Sequence, residues 1–201
     1  MPSIYDLKPA FQQLLRPLCR QLARWGVTAN QVTISAVLLS LVMGGLIGWQ
    51  PDNLTLLLFV PLVMFIRMGL NAIDGLLARE HDMKTPLGAI LNELGDVIAD
   101  AGLYLPFALI TGISAELIVL IVILSIISEM TGIIGIQIGA SRRYDGPMGK
   151  SDRAFVFGLI ALLLGLGVPT GSWLIILLSV VNFLLVLTIV NRAYQALQEL
   201  S

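Results

Sequence analysis

The sequence predicts an all-α polytopic membrane protein, with six transmembrane helices preceded by an amphipathic interfacial helix. Three observations predict it. First, 57 % of the 201 residues are apolar and only 12 % are charged, a balance that excludes an ordinary soluble domain. Second, long apolar runs alternate with short polar turns such as 50-QPDN-53 and 26-GVTANQVT-33. Third, the basic residues gather on one alternate set of those turns. A single domain spanning residues 1–201 is expected. The net charge of −1 and the lack of a basic tract argue against nucleic acid as a partner. The single Cys19 excludes an internal disulfide and reads as an ordinary thiol on a surface helix.

The elements follow in order. Residues 1–26 form the interfacial helix. Leu7, Phe11, Leu14, Leu15, Leu18, Leu22 and Trp25 recur at helical spacing, with Gln12, Arg16, Arg20 and Arg24 on another face. Packing of this helix on the rest of the protein is an equal alternative, and both can hold. Lys8, Arg16, Arg20 and Arg24 interrupt any apolar core that a cleavable signal peptide would need. Pro9 and Pro17 start or kink the helix, and Gly26 stops it. Thr28 or Asn30 caps the first span, residues 32–49. The second span covers 54–79. Pro86 opens the third, 86–111. The fourth covers 117–140. Its Gly132, Gly135 and Gly139 form a small-residue face for packing within the subunit or against a second copy. The fifth, 154–168, looks short, with a start inside the preceding loop as the alternative. The sixth covers 173–190, and a polar tail ends the chain.

Of the twelve Lys and Arg residues, Arg67 lies within a span, and the other eleven lie at span ends or in loops, all on one side. The turns near residues 50, 113 and 170 carry none. The bias predicts that the termini and polar loops face the cytoplasm. A multi-pass protein of the plasma (inner) membrane is expected.

Charge inside a membrane helix costs roughly 2.5–3.5 kcal/mol per residue on insertion scales, and such residues are functional by default. The stretch 71–100 nevertheless carries Asp74, Arg79, Glu93, Asp96 and Asp100, with Asn71 and Asn92 beside them. Asn71, Asp74, Gly75 and Ala78 share one helical face, and Gly88, Asn92, Asp96 and Asp100 share another. The short connection makes the two helices antiparallel neighbours, which places Asp74 and Asn92 at similar depth. Facing oxygen ligands of this kind suit a hard cation, Mg²⁺ or Mn²⁺. Arg67, one turn deeper than Asn71, needs a buried partner. Asp100 and Glu129 are the candidates for this intramembrane ion pair. His81 sits in a polar turn and reads as solvated rather than as a ligand.

These residues carry a resemblance. The stretch reads Asn71-x2-Asp74-Gly75-x2-Ala78-Arg79-x8-Gly88-x3-Asn92-x3-Asp96. It is similar to the motif D-x2-D-G-x2-A-R-x8-G-x3-D-x3-D of the CDP-alcohol phosphotransferases, matching six of eight positions at every spacing. The departures are asparagines at the first and third acidic positions. The resemblance implies transfer of a phosphatidyl group from a CDP-linked lipid, typically CDP-diacylglycerol, to a small alcohol with release of CMP. It implies metal ligands at Asp74, Asp96, Asn71 and Asn92, and a general base at Asp96. Nucleotide contacts are implied at Asn30, Thr33, Asp74, Gly75, Ala78, Arg79 and Gly88. For Asn30 and Thr33, capping and helix packing are the competing reading. The loop 141–154 resembles a family segment whose basic residues hold the acceptor's phosphate, which implies acceptor contacts at Lys150, Arg153 and Arg142. A homodimer is implied as well.

The two asparagines remove two negative charges from the implied pattern, so one metal or weaker binding is expected in place of two metals. Glu93 lies one residue off the ligand face, whereas Asp100 lies on it. A phosphatidyltransferase with an altered metal site is the leading reading. A non-catalytic relative that binds nucleotide, lipid or a partner subunit is the first alternative. A small transporter using its buried carboxylates is the second, weakened because the acids gather near one surface.

Overall fold

The computed structural model describes the backbone of residues 4–200 and the side chains of residues 11–200. It is all-helical, with no strand among the described residues. Seven α-helices follow one another: α1 (Ile4–Arg24), α2 (Ala29–Trp49), α3 (Phe59–Glu80), α4 (Pro86–Tyr104), α5 (Ala115–Gln137), α6 (Lys150–Gly165) and α7 (Ser172–Gln198). Short 3-10 turns, Leu54–Leu58 and Leu105–Leu109, precede α3 and follow α4.

Four segments are long and apolar enough to cross a membrane: Ala29–Trp49, Leu54–Glu80, Ala115–Gln137 and Ser172–Gln198. By that standard the six expected spans reduce to four. The reasons are local. The third expected span carries Glu93, Asp96 and Asp100 in α4, and α6 has 16 residues. The third helix also ends before 111. Pro106 has no N–H to continue the ladder, and the chain tightens into a 3-10 turn at Leu105. In contrast, the sixth span runs on to Gln198 and absorbs most of the expected polar tail.

The chain divides into two compact units. The first comprises residues 1–42 and 62–99. Its core gathers Cys19 of α1, Ala29 and Val32 of α2, and Ile73, Leu76 and Leu77 of α3, with Leu15 and Leu22 packed against it. So α1 docks on the bundle, as one of its two readings held. Its other apolar residues point away: Leu14 is 75 % and Trp25 67 % exposed. The side chains of Leu7, Lys8 and Pro9 lie outside the described residues. Cys19 is a correction, because its thiol is buried in this core rather than set on a surface. It donates to the Ile73 carbonyl at 3.8 Å, and burial pushes the thiol up from its ordinary value. Arg16 pairs with Glu80 at 3.1 Å, tying α1 to the end of α3.

Capping fixes where the helices of this unit start. Thr28 and Gln31 form a reciprocal capping box: the Gln31 N–H donates to Thr28 Oγ1 (3.3 Å), and the Thr28 N–H donates to Gln31 Oε1 (2.9 Å). Asn30 is therefore not needed as the cap. Thr85 accepts from the Gly88 N–H at 2.9 Å and starts α4, with Pro86 at its first position.

The second unit comprises residues 43–61 and 100–201. Here α5 packs along α7, and α6 packs on the 3-10 turn before α3. A Cβ added at Gly44 would run into the carbonyl of Gly102, so α2 and α4 touch backbone to backbone in this unit. The small face of α5 is covered within the subunit. A Cβ at Gly132 would meet the carbonyl of Arg143 at 2.6 Å, and one at Gly135 that of Ser141 at 2.9 Å. The loop after α5 therefore folds back over these glycines. Arg143 donates to Asp145 (2.8 Å) and to Glu199 (2.6 Å), and the Ser141 N–H and hydroxyl also donate to Glu199 (2.9 and 2.7 Å).

Two predictions follow from these contacts. The Ser141 bonds first, and Arg143 second, hold the Glu199 carboxyl below its ordinary value. A depressed carboxylate stabilises above its unfolded pKa and loses that contribution as pH falls through its folded one. Docking of loop 141–145 on the end of α7 should thus weaken in acid. The protection factor of the Ser141 amide should be high at neutral pH and fall on acidification, and Glu199→Gln, whose amide oxygen still accepts but does not titrate, should lose that pH dependence. Separately, Gly44→Leu should cost about 3 kcal/mol, seen as a lowered Tm in detergent, because a backbone contact cannot yield.

Candidate functional site

The first unit builds a cleft of about 330 Å³ from the start of α2, the end of α3 and the start of α4. That volume lies within the usual range for small-molecule pockets. All seven residues assigned by resemblance to the nucleotide line it: Asn30, Thr33, Asp74, Gly75, Ala78, Arg79 and Gly88. Asn92 lines it too, opposite Asp74, as the antiparallel pairing of α3 and α4 requires. Met83, Lys84, Thr85 and Ala89 complete the rim and were not anticipated. The first three sit on the connecting turn, where periodicity carries no signal, and Ala89 lies in the first turn of α4.

Small residues open this cleft. Gly75 leaves room for the Arg79 guanidinium, whose Nη1 would lie 3.1 Å from an added Cβ. At Gly88 an added Cβ would crowd Asn30 Oδ1 at 2.7 Å. Since Thr28 does the capping, the Asn30 amide is available here, and its Nδ2 reaches Thr85 Oγ1 at 3.5 Å.

The acids are held by donors from their own unit. Asp74 is 6 % exposed, and Thr33 Oγ1 donates to its Oδ2 at 2.9 Å. Thr33 also bonds the Ala29 carbonyl, so its hydroxyl serves helix packing and the acid together. Asn71 Nδ2 donates to Asp96 Oδ1 at 3.4 Å. Arg67 Nη2 donates to the Asp96 carbonyl at 3.3 Å and lies 3.7 Å from its carboxylate. Arg67 thus has Asp96 as one partner.

Among the described residues, no three His, Cys, Asp or Glu side chains gather as a metal cage. Asp74, Asp96, Asn71 and Asn92 offer two carboxylates and two amide carbonyls, all oxygen donors. Their chemistry fits one hard divalent cation. Two such ions would face too little negative charge from the protein.

A second cluster lies in the other unit. Arg153 Nη2 donates to Asp100 Oδ2 and to Glu129 Oε1, both at 3.0 Å. Arg142 reaches Glu129 at 3.3 Å and Arg192 reaches it at 3.4 Å. Asp100 and Glu129, named as candidate partners of Arg67, thus share Arg153. Of the residues assigned to the acceptor, Arg153 and Arg142 both belong to this cluster, while Lys150 is half-buried at the first position of α6. Arg192 was missed because it lies past the expected end of the last span. Its spacing of four from Thr188 and Ala196, both buried, was the available signal.

Thr85 both caps α4 and meets Asn30. Thr85→Val should therefore lower stability by about 1 kcal/mol, read as a drop in Tm, and Thr85→Ser should restore it.

Comparison with known proteins gives the family and a shared fold. The profile of the CDP-alcohol phosphatidyltransferase family matches residues 26–190. The inner membrane protein YnbA of Escherichia coli (strain K12) is 44 % identical over 195 residues, which is 97 % of this chain and 96 % of that one. Among solved structures, the phosphatidylinositol phosphate synthase PgsA1 of Mycobacterium tuberculosis with CDP-DAG bound superposes with a TM-score of 0.77 at 20 % identity. That match covers 92 % of this chain and 94 % of the synthase. The same synthase in complex with manganese and citrate gives 0.75, over 90 % and 87 % of the two chains, again at 20 % identity. These likenesses show a shared fold. With most of its length matched by the family profile, this membrane protein belongs to the CDP-alcohol phosphatidyltransferase family.

Proposed function

We propose that this chain transfers a phosphatidyl group from a CDP-linked lipid, CDP-diacylglycerol by preference, to an alcohol acceptor and releases CMP. The observation that carries the proposal is the cleft of the first unit, where the seven residues implied for the nucleotide line one wall system around buried Asp74. The relative with CDP-DAG bound supports the same donor.

In this reading Asn30, Thr33 and Arg79 hold the cytidine and its phosphates, and Gly75, Ala78 and Gly88 let them approach the helices closely. Asp96 accepts the proton of the acceptor hydroxyl. The alcohol oxygen then attacks the phosphorus that carries the lipid, the bond from that phosphorus to the bridging oxygen breaks, and CMP leaves with the electron pair. Asn71 and Arg67 orient the Asp96 carboxylate for this role. A single Mg²⁺ or Mn²⁺ would be held by Asp74 and Asp96 with the carbonyls of Asn71 and Asn92, and when bound it would offset diphosphate charge. The manganese in a relative of this fold supports a divalent ion. Lys150, Arg153 and Arg142 are assigned to the acceptor.

The proposal includes six crossings, with the exposed apolar residues Leu87, Ile90, Leu94 and Ile98 of α4 and Phe155, Leu159 and Leu162 of α6 facing lipid, and α1 lying at the interface through Leu14, Leu18 and Trp25. The positive-inside bias puts the cleft and the termini in the cytoplasm of an inner-membrane protein. A homodimer is part of the proposal, although Gly132 and Gly135 are used within the subunit.

One observation favours a second reading, a nucleotide- or lipid-binding relative without turnover. Asn71 donates to Asp96 where an acidic residue could not. CMP release by purified protein, with CDP-diacylglycerol, a panel of alcohols and a Mg²⁺ or Mn²⁺ titration, separates the two. Metal-dependent turnover that falls about 10²–10⁴-fold in Asp96→Asn is the expected result. Absence of CMP from folded protein would leave the binding role, and Asn71→Asp with Asn92→Asp would then be expected to restore turnover.

A further inference from the structure

We infer that the acceptor of this protein is an alcohol without a phosphate group, and that Glu129 sets this specificity. The inference rests on the transferase reading, and on the assignment of Arg142, Arg153 and Lys150 to the acceptor.

By sequence, loop 141–154 is a basic segment suited to a phosphorylated acceptor. Its charges are spent internally. Glu129 projects from α5 and is reached by Arg142, Arg153 and Arg192, at 3.3, 3.0 and 3.4 Å. Arg153 also takes Asp100, at 3.0 Å. Arg143 takes Asp145 and Glu199. Four arginines thus face four carboxylates, all within one unit. Lys150 is followed two residues later by Asp152.

Burial makes the balance rigid. Arg153 and Arg192 are each 1 % exposed, and Glu129 is 7 % exposed. Arg192 is pinned further by the carbonyls of Ser128 (2.6 Å) and Asp145 (3.3 Å). A phosphate brings between one and two negative charges and wants bidentate guanidinium contacts. It could gain them only by displacing Glu129, which would strand a carboxylate in an apolar helix. Donors do remain in this cluster, on Arg142 and Arg153, but they bring no charge beyond that balance. Arg153 Nε is buried with no hydrogen-bond acceptor among the described residues. A neutral hydroxyl oxygen can satisfy it, and so can be selected without an ionic contact.

The test has two arms on the purified full chain. In the first, CMP release from CDP-diacylglycerol is compared with glycerol and with glycerol 3-phosphate as acceptors. A preference for glycerol of about tenfold or more in kcat/KM is expected, since charge left unpaired in a site is strongly rejected. Parity, or preference for the phosphorylated alcohol, overturns the inference. In the second arm, Tm is followed with millimolar inorganic phosphate against chloride at equal ionic strength. The wild-type protein should show no saturable rise, and Glu129→Gln, with its arginines released, should gain one. A saturable rise in the wild type overturns the inference even if neither alcohol yields CMP. Silence of the first arm shows that neither alcohol is the acceptor; the panel of alcohols tests the transferase reading, and the second arm still decides the inference. If Glu129→Gln does not fold, the two wild-type measurements suffice.

Discussion

Glu129 is the point on which the second unit depends. A carboxylate in an apolar helix is tolerable only when its lost hydration is replaced, and three guanidinium groups replace it here. They arrive from three places: the loop after α5, the first turn of α6 and the late turns of α7. One side chain therefore fixes the register of α5, α6 and α7 together. Removing one partner of a buried pair typically costs about 3–5 kcal/mol. Arg192 shows how far the arrangement extends, since it also bonds a backbone carbonyl of α5, at Ser128, and one within that loop, at Asp145.

The first unit solves the same problem differently. Its acids are not neutralised by equal numbers of cations but by a hydroxyl, an amide and one arginine. Such partners leave a carboxylate its charge and its remaining lone pairs. Asp74 and Asp96 are thus held in place by hydrogen bonds from Thr33 and Asn71 as well as by charge.

Much of this was legible in the sequence. The helical content follows from apolar periodicity, and the cleft follows from spacing: residues three and four apart on two antiparallel helices had to face each other. The capping role of Thr28 was visible only as an alternative to Asn30, because both can cap and only the Gln31 partnership decides. The partners of Glu129 were not legible. Arg192 and Arg142 lie far from it in sequence, and long side chains reach partners that no periodicity encodes. The burial of Cys19 was missed for a related reason: α1 has apolar residues on more than one side, and the sequence does not say which side docks. Motif spacing also gave no sign that α4 would break at Leu105, although Pro106 was there to be read.

The shortness of α6 has a consequence for the surrounding lipid. Sixteen residues rise about 24 Å, against a hydrocarbon core of about 30 Å. Its neighbour in the chain, α7, has 27 residues and rises about 40 Å. If both cross, the bilayer meets a mismatch of opposite sign at two successive helices. It must thin beside α6, while α7 tilts or projects beyond the headgroups. A thinned annulus brings acyl chains and headgroups out of their usual depth. Membrane thickness, set by chain length, then becomes a physical variable to which this protein responds.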